Sequence, residues 1–276
     1  MLKIDAHQHF WVFDPVRDSW INEEMRSIQR DFLPGDLEFV LKQNGINGCI
    51  AVQADQSEEQ NAFLLQLTEG NDFIKGIVGW VDLRAGDVEE RLEFYSHTKL
   101  MKGFRHVLQG EPNRALMLEP DFKRGIGLLH KYGFTYDILI FPDQLKYADK
   151  LAKEFPQQKF VLDHIAKPDI KGGKIDSWAA EIELLATNKN VCCKVSGMVT
   201  EADWHNWDND TFTRYLDVVF NAFGTGRVMF GSDWPVCLVA ADYTAMKAIV
   251  ETYTQQFRAD EQEMIFGGNA TNFYNL

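Results

Sequence analysis

Two histidines two residues apart, His7 and His9, close the first apolar run of the chain, which reads Leu-Lys-Ile-Asp-Ala-His-Gln-His over residues 2–9. If that run is a β-strand, alternate side chains share a face, and the two imidazoles point the same way. Imidazoles that close can share a metal ion or the oxygen of one substrate. His164 follows Phe160-Val161-Leu162, and Asp233 follows Val228-Met229-Phe230 within Gly-Ser-Asp-Trp-Pro. Each alone has a structural explanation: a core histidine bonded to a carbonyl, or a turn or capping aspartate. Together with His7 and His9 they form a constellation. Aspartate can take a proton from water, and imidazoles or a metal can polarise a carbonyl. That is the chemistry of ester, lactone or amide hydrolysis.

Such chemistry needs a scaffold that brings positions 7, 9, 164 and 233 to one place. Eight short β-rich runs occur, at residues 2–7, 48–53, 74–81, 101–106, 135–140, 159–164, 191–196 and 227–230. Most are nearly continuous apolar, the pattern of parallel strands buried on both faces. Helical segments lie between them, at 36–43, from the Ser57/Gln60 capping box to near Gly70, from Asp87 onward, and at 114–132, 143–154, 176–188, 211–223 and 240–256. A last helix is expected over 260–265, stopping before Gly267-Gly268-Asn269. Eight alternations predict a single-domain (β/α)8 TIM-like barrel over residues 1–276. A doubly wound open sheet is the alternative, but it lacks its glycine-rich phosphate fingerprint here. The connection 10–34 is long and carries Phe10, Trp11, Phe13, Trp20 and Phe32. Such a loop is expected to fold over the C-terminal mouth of the barrel.

In a barrel of this kind the strand ends supply the site. Arg105, on an inward register, is a candidate to bond substrate oxygens, and His106 then faces outward unless a bulge turns it in. Trp11, Trp20, Trp80 and Trp234 are candidates to pack a substrate ring, with Asp137, Lys194 and Glu201 as hydroxyl partners.

The formal net charge of -13 disfavours nucleic acid, whose affinity rests on basic contacts. No run of about 18 apolar residues is present, so no membrane span is expected. Cys49, Cys192, Cys193 and Cys237 show no metal-knuckle spacing and read as reduced, buried residues. With no apolar leader before the first strand, the reading is a cytoplasmic protein. Homo-oligomerisation is left open.

The chain resembles the amidohydrolase superfamily in Asp5-Ala6-His7-Gln8-His9-Phe10, His164 and Asp233. Further segments are similar to its sugar-lactonase branch: Lys102-Gly-Phe-Arg105-His106, Leu162-Asp-His164-Ile-Ala-Lys167-Pro168, Lys194-Val-Ser196-Gly197, Thr200-Glu201-Ala202, Phe230-Gly-Ser-Asp233-Trp-Pro235 and Gly268-Asn269-Ala270. That branch includes L-fuconolactonases, L-rhamnonolactonases and 2-pyrone-4,6-dicarboxylate lactonases. The resemblance implies opening of a small-molecule sugar lactone, with Asp233 as general base and His7, His9 and His164 holding the carbonyl oxygen or a metal. Metal-rich members carry a histidine on strand five, whereas residues 135–141 contain none. The implied centre therefore holds at most one divalent ion, zinc or manganese, on His7, His9, Asp233 and His164, or no ion at all. A metal-dependent decarboxylase or a dicarboxylate lactone hydrolase is the alternative. Both want several arginines, and only Arg105 stands near the strand ends, with Arg17 and Arg26 in the long loop.

Overall fold

All eight apolar runs form strands because their side chains are buried on both faces, against helices outside and the barrel interior within. The computed structural model describes residues 2–276. The strands are β1 (Ile4–Gln8), β2 (Gly48–Val52), β3 (Ile74–Gly79), β4 (Met101–His106), β5 (Thr135–Ile138), β6 (Phe160–Leu162), β7 (Val191–Val195) and β8 (Val228–Phe230). They run parallel in the order β1 to β8. The ring closes where Gln8 bridges Trp234, with the Asp233 amide donating to the His7 carbonyl (2.8 Å) and the His9 amide to the Trp234 carbonyl (2.7 Å). The residues that close the barrel thus include three proposed to do chemistry. This is a single-domain TIM barrel.

Eight helices alternate with the strands: α1 (Pro34–Gln43), α2 (Glu58–Leu67), α3 (Val88–Ser96), α4 (Pro120–Leu129), α5 (Leu145–Glu154), α6 (Asp176–Ala186), α7 (Asn209–Phe223) and α8 (Tyr243–Thr254). Ser57 caps α2 by accepting from the Gln60 amide (3.2 Å). The expected helix over 114–132 begins only at Pro120. Proline suits a first turn and forces extended backbone on the residue before it, here Glu119 at φ -65°, ψ 144°. No helix among the described residues is long and apolar enough to cross a membrane.

The C-terminal segment departs from expectation. Gly267 and Gly268 do not stop the last helix. α9 (Ala259–Glu263) continues through a π turn (Met264–Gly268) into α10 (Asn269–Tyr274). Glycine is required there for close approach, since a Cβ on Gly267 would lie 1.8 Å from the Leu2 carbonyl oxygen. α10 then seals the N-terminal end of the barrel. Its Ala270, Phe273 and Tyr274 pack with the interior residues Ile4, Ala6, Ile50, Val52, Val78, Val161 and Met229.

Strand alternation is broken once where it matters. Pairing of β1 with β2 shifts register between Asp5 and Gln8. Asp5 lies on the helix side, accepting from Tyr243 of α8 (3.1 Å), while His7 lies inside the barrel. Regular alternation would have put His7 beside Asp5. The bulge re-aims it.

Candidate active site

His7 and His9 leave the end of β1 side by side, their Nε2 atoms 3.2 Å apart. His164 comes from the segment after β6, its ring centroid 4.3 Å from that of His7. Asp233 follows β8. Its Oδ1 lies 3.4 Å from His9 Nε2, 3.8 Å from His164 Nε2 and 3.9 Å from His7 Nε2. All four side chains are nearly or fully buried.

Their positions are enforced locally. Asp5 pins the segment that carries Asp233, accepting from the Ser232 amide (2.9 Å) and hydroxyl (2.6 Å). β6 ends at Leu162, and the chain then runs through four consecutive non-glycine residues in the left-handed region: His164 (φ 53°), Ile165 (49°), Ala166 (60°) and Lys167 (51°). That conformation is costly and persists only where surrounding contacts over-determine it. Here Trp178 donates to the Ile165 carbonyl (2.8 Å), and the Lys167 amide donates to the His164 carbonyl (2.8 Å). The run places both His164 and Lys167 on the wall of one cavity. Asp233 is itself left-handed, at φ 58°.

Gly197 makes room for His164. Its φ is +61°, and a Cβ there would meet His164 Nδ1 at 2.5 Å. Gly197→Ala is therefore expected to destabilise by more than about 1 kcal/mol and to push His164 off Ser196, which lies 2.9 Å from its Nδ1. Thermal unfolding and kcat report the two effects. Parental kcat in a folded variant would show that His164 need not sit where it does.

Hydrogen bonding assigns the tautomers. His9 Nδ1 donates to the Val52 carbonyl (2.8 Å), which can only accept. Arg105 Nη1 donates to His7 Nε2 (3.2 Å) and to Asp163 Oδ2 (3.2 Å), so His7 Nδ1 carries the proton and donates to Asp163 Oδ1 (3.2 Å). Burial holds the His7 imidazole well below its ordinary pKa despite the nearby Asp163 carboxylate. Burial likewise lowers His164, against the pull of Asp233. Both rings are neutral at physiological pH. Burial alone would raise the Asp233 carboxyl, but His164, His9 and Lys167 outweigh it, leaving a carboxylate below the usual range.

Beneath the histidines lies a buried ionic network. Lys194 Nζ contacts Asp137 Oδ2 (2.5 Å), Asp163 Oδ1 (3.0 Å) and His7 Nδ1 (3.2 Å), and Tyr274 donates to Asp137 Oδ2 (2.9 Å). Arg105 Nη2 donates to the Gln53 carbonyl (2.6 Å). Burial raises the Asp137 carboxyl above its usual range, against the pull of Lys194. Asp163 is held well below its usual range because Lys194, His7 and Arg105 outweigh its burial. Two cations thus face two carboxylates, as buried charges require.

A cavity of about 310 Å³ opens above this layer. It is lined by His9, His164, Asp233, Arg105, Trp11, Trp20, Lys167 and Gln109, with Leu139 and Val236 among its apolar members. Of the residues proposed to bind substrate, Arg105, Trp11 and Trp20 therefore face it. The others do not line it. His106 sits between Trp80 Nε1 (3.3 Å) and Glu111 Oε1 (2.7 Å), on the outer side of β4, as strand alternation requires once Arg105 points in. Asp137 and Lys194 are fully buried in the ionic layer. Trp234 packs against Phe10 and Phe32. Glu201 reaches the site only through Lys167, 3.7 Å away. The long loop is tied down by paired backbone bonds between Trp11 and Phe32 (3.0 and 2.9 Å). Its Arg17 bonds Asp18 rather than entering the cavity.

His7, His164 and Asp233 present one ligand atom each within 4.8 Å of one another. Two neutral imidazoles and a carboxylate fit a single divalent ion. Arg105 Nη1 already occupies the lone pair of His7 Nε2.

A parallel barrel whose strand ends join three imidazoles to an aspartate beside an open cavity is an arrangement suited to hydrolysis. Residues 4–276 match the family described as Amidohydrolase. Two relatives carry the name L-fucono-1,5-lactonase. That of Burkholderia multivorans is 38% identical, covering 100% of this chain and 96% of its own. That of Burkholderia ambifaria is 33% identical, covering 99% and 96%. A crystal structure of a B. multivorans amidohydrolase with bound zinc superposes with a TM-score of 0.96 at 38% identity, over 100% of both chains. The chain belongs to the amidohydrolase family and is one of its hydrolases.

Proposed function

We propose that the protein is a lactonase that opens a neutral five- or six-carbon aldonolactone, of the L-fucono or L-rhamnono type, to the aldonic acid. The observation that carries this reading is the convergence of an ionised Asp233 with neutral imidazoles on a cavity whose wall mixes aromatic, aliphatic and polar groups. The names of the two full-length relatives support it. Asp233 takes a proton from water as the water oxygen bonds to the lactone carbonyl carbon. His9, His164 and the positive charge of Arg105 stabilise the oxygen as it becomes anionic. The carbon–ring oxygen bond then breaks, and Asp233 returns its proton to the leaving alkoxide. Trp11 and Trp20 supply an apolar wall for the ring. Four free cysteines are in keeping with a reducing, cytoplasmic setting.

His7, His164 and Asp233, with His9 adjacent, would hold a single zinc or manganese ion, which when bound polarises a carbonyl and acidifies water. We propose that activity does not require it, because Arg105 and Lys194 already set two positive charges against His7. Treatment with a chelator is expected to leave most activity. Full loss, restored by zinc or manganese, would reverse this.

Substrate charge discriminates the reading from its alternative. The cavity wall carries two cations, Arg105 and Lys167, the second beside Glu201. A dicarboxylate would need each charge paired, since an unpaired buried charge costs several kcal/mol. Initial rates across a panel of lactones are expected to favour neutral aldonolactones. Faster turnover of 2-pyrone-4,6-dicarboxylate than of every sugar lactone would overturn the assignment.

A further inference from the structure

Most polar atoms around the cavity have protein partners. Two buried ones do not: Arg105 Nε and the side-chain oxygen Oε1 of Gln109. Other buried side-chain atoms lack partners elsewhere in the molecule, but only these two belong to residues that line this cavity. A buried donor or acceptor without a partner is unfavourable, and where it borders a binding cavity a ligand group completes it.

The Arg105 guanidinium is not free to turn away, and the backbone of Gln109 is fixed. The other nitrogens of Arg105 are held by His7, Asp163 and Gln53. Gln109 lies in the short 3-10 turn Leu108–Gly110 after β4. Its amide donates to the Leu139 carbonyl (3.1 Å), and Arg114 donates to its carbonyl (2.8 Å). Gln144 holds the neighbouring Leu108 carbonyl (2.9 Å). The turn is therefore fixed from three sides, which places the backbone from which the Gln109 side chain extends.

We propose that Gln109 is a specificity-determining residue that reads a ring hydroxyl of the substrate. Its Oε1 accepts a hydrogen bond from that hydroxyl, and Arg105 Nε donates to a second oxygen of the same molecule. One donor and one acceptor on two residues that line the same cavity suit a polyol, whose hydroxyls offer both. They do not suit a ligand without hydroxyls. This inference rests on the lactonase reading and adds the feature of the lactone that is recognised.

The test compares the parent enzyme with Gln109→Met, which keeps length and removes the amide, and Gln109→Glu, which keeps an acceptor oxygen. Each is assayed on L-fucono-1,5-lactone and on δ-valerolactone, which has the ring but no hydroxyls. A site built to hydrogen-bond a hydroxyl loses its preference once the partner is gone. Gln109→Met is expected to lower kcat/KM on the sugar lactone by about 10-fold or more and to leave δ-valerolactone within about 2-fold of the parent. Gln109→Glu is expected to retain more of the preference for the sugar lactone than Gln109→Met. An equal fall on both substrates, or no fall on either, would overturn the role of Gln109 while leaving the lactonase reading intact. A parent enzyme inactive on both lactones would overturn the lactonase reading, and this inference with it.

Discussion

Asp233→Asn is expected to lower kcat by about 100-fold or more, the usual contribution of a general base, while the protein stays folded. Asparagine preserves the shape of the side chain and can still face His9 and His164, so the barrel closure through the Asp233 amide and the His7 carbonyl persists. What it removes is the negative charge and the ability to accept a proton. Burial would favour a neutral carboxyl, yet His164, His9 and Lys167 keep Asp233 ionised. A carboxylate held in that state is available as a base across the neutral pH range. Steady-state rates and thermal unfolding, measured on the same preparation, check the two halves. Retention of more than a tenth of parental activity would remove Asp233 from the role.

The second large effect concerns stability. Lys194→Met is expected to unfold far more readily than the parent, because it leaves Asp137 and Asp163 without the ammonium that contacts both. Those carboxylates are wholly buried. Removing one partner from a buried ionic group costs about 3–5 kcal/mol, which for a chain of this size is a fall of roughly 6–12 °C in Tm. Methionine fills much of the same volume, so the loss is electrostatic rather than a cavity. Adding Asp137→Asn to Lys194→Met is expected to recover part of the stability, since the two sites are in contact and their effects are not additive. A single variant within about 2 °C of the parent would show that the ammonium is not needed to hold the layer beneath His7.

The sequence was most legible where a rule of alternation or burial applied. Parallel strands buried on both faces leave continuous apolar runs, so all eight were found to within a few residues at their ends. Alternation allowed only one of Arg105 and His106 to face inward without saying which, and the structure turns Arg105 in. Alternation failed at β1, where a bulge between Asp5 and Gln8 turns His7 inward, and a bulge leaves no mark in an apolar run. His164 was legible as a strand-end residue, but the left-handed run that aims it was not, because none of His164, Ile165, Ala166 and Lys167 is a glycine. For the same reason Lys167 was quoted only as part of a motif. Gln109 carried no signal at all. Its backbone is placed by a short turn, one of whose anchors, Leu139, is distant in the chain. Asp137 and Lys194 were found at inward positions but placed too high. They meet Tyr274 of α10, a helix that lies beyond the end expected for the last one, before Gly267-Gly268.

Hydrolysis of a neutral sugar lactone by these residues can be followed through its product. Opening an aldonolactone yields an acid that ionises at neutral pH, so each turnover releases one proton. Proton release on L-fucono-1,5-lactone, followed with chelator-treated enzyme against the spontaneous rate, is the most direct measurement. The expected result is one proton per lactone consumed, at a kcat of about 1 per second or faster, lowered about 100-fold or more by Asp233→Asn. No release above the spontaneous rate from this or any other neutral aldonolactone, with or without added zinc or manganese, would contradict it.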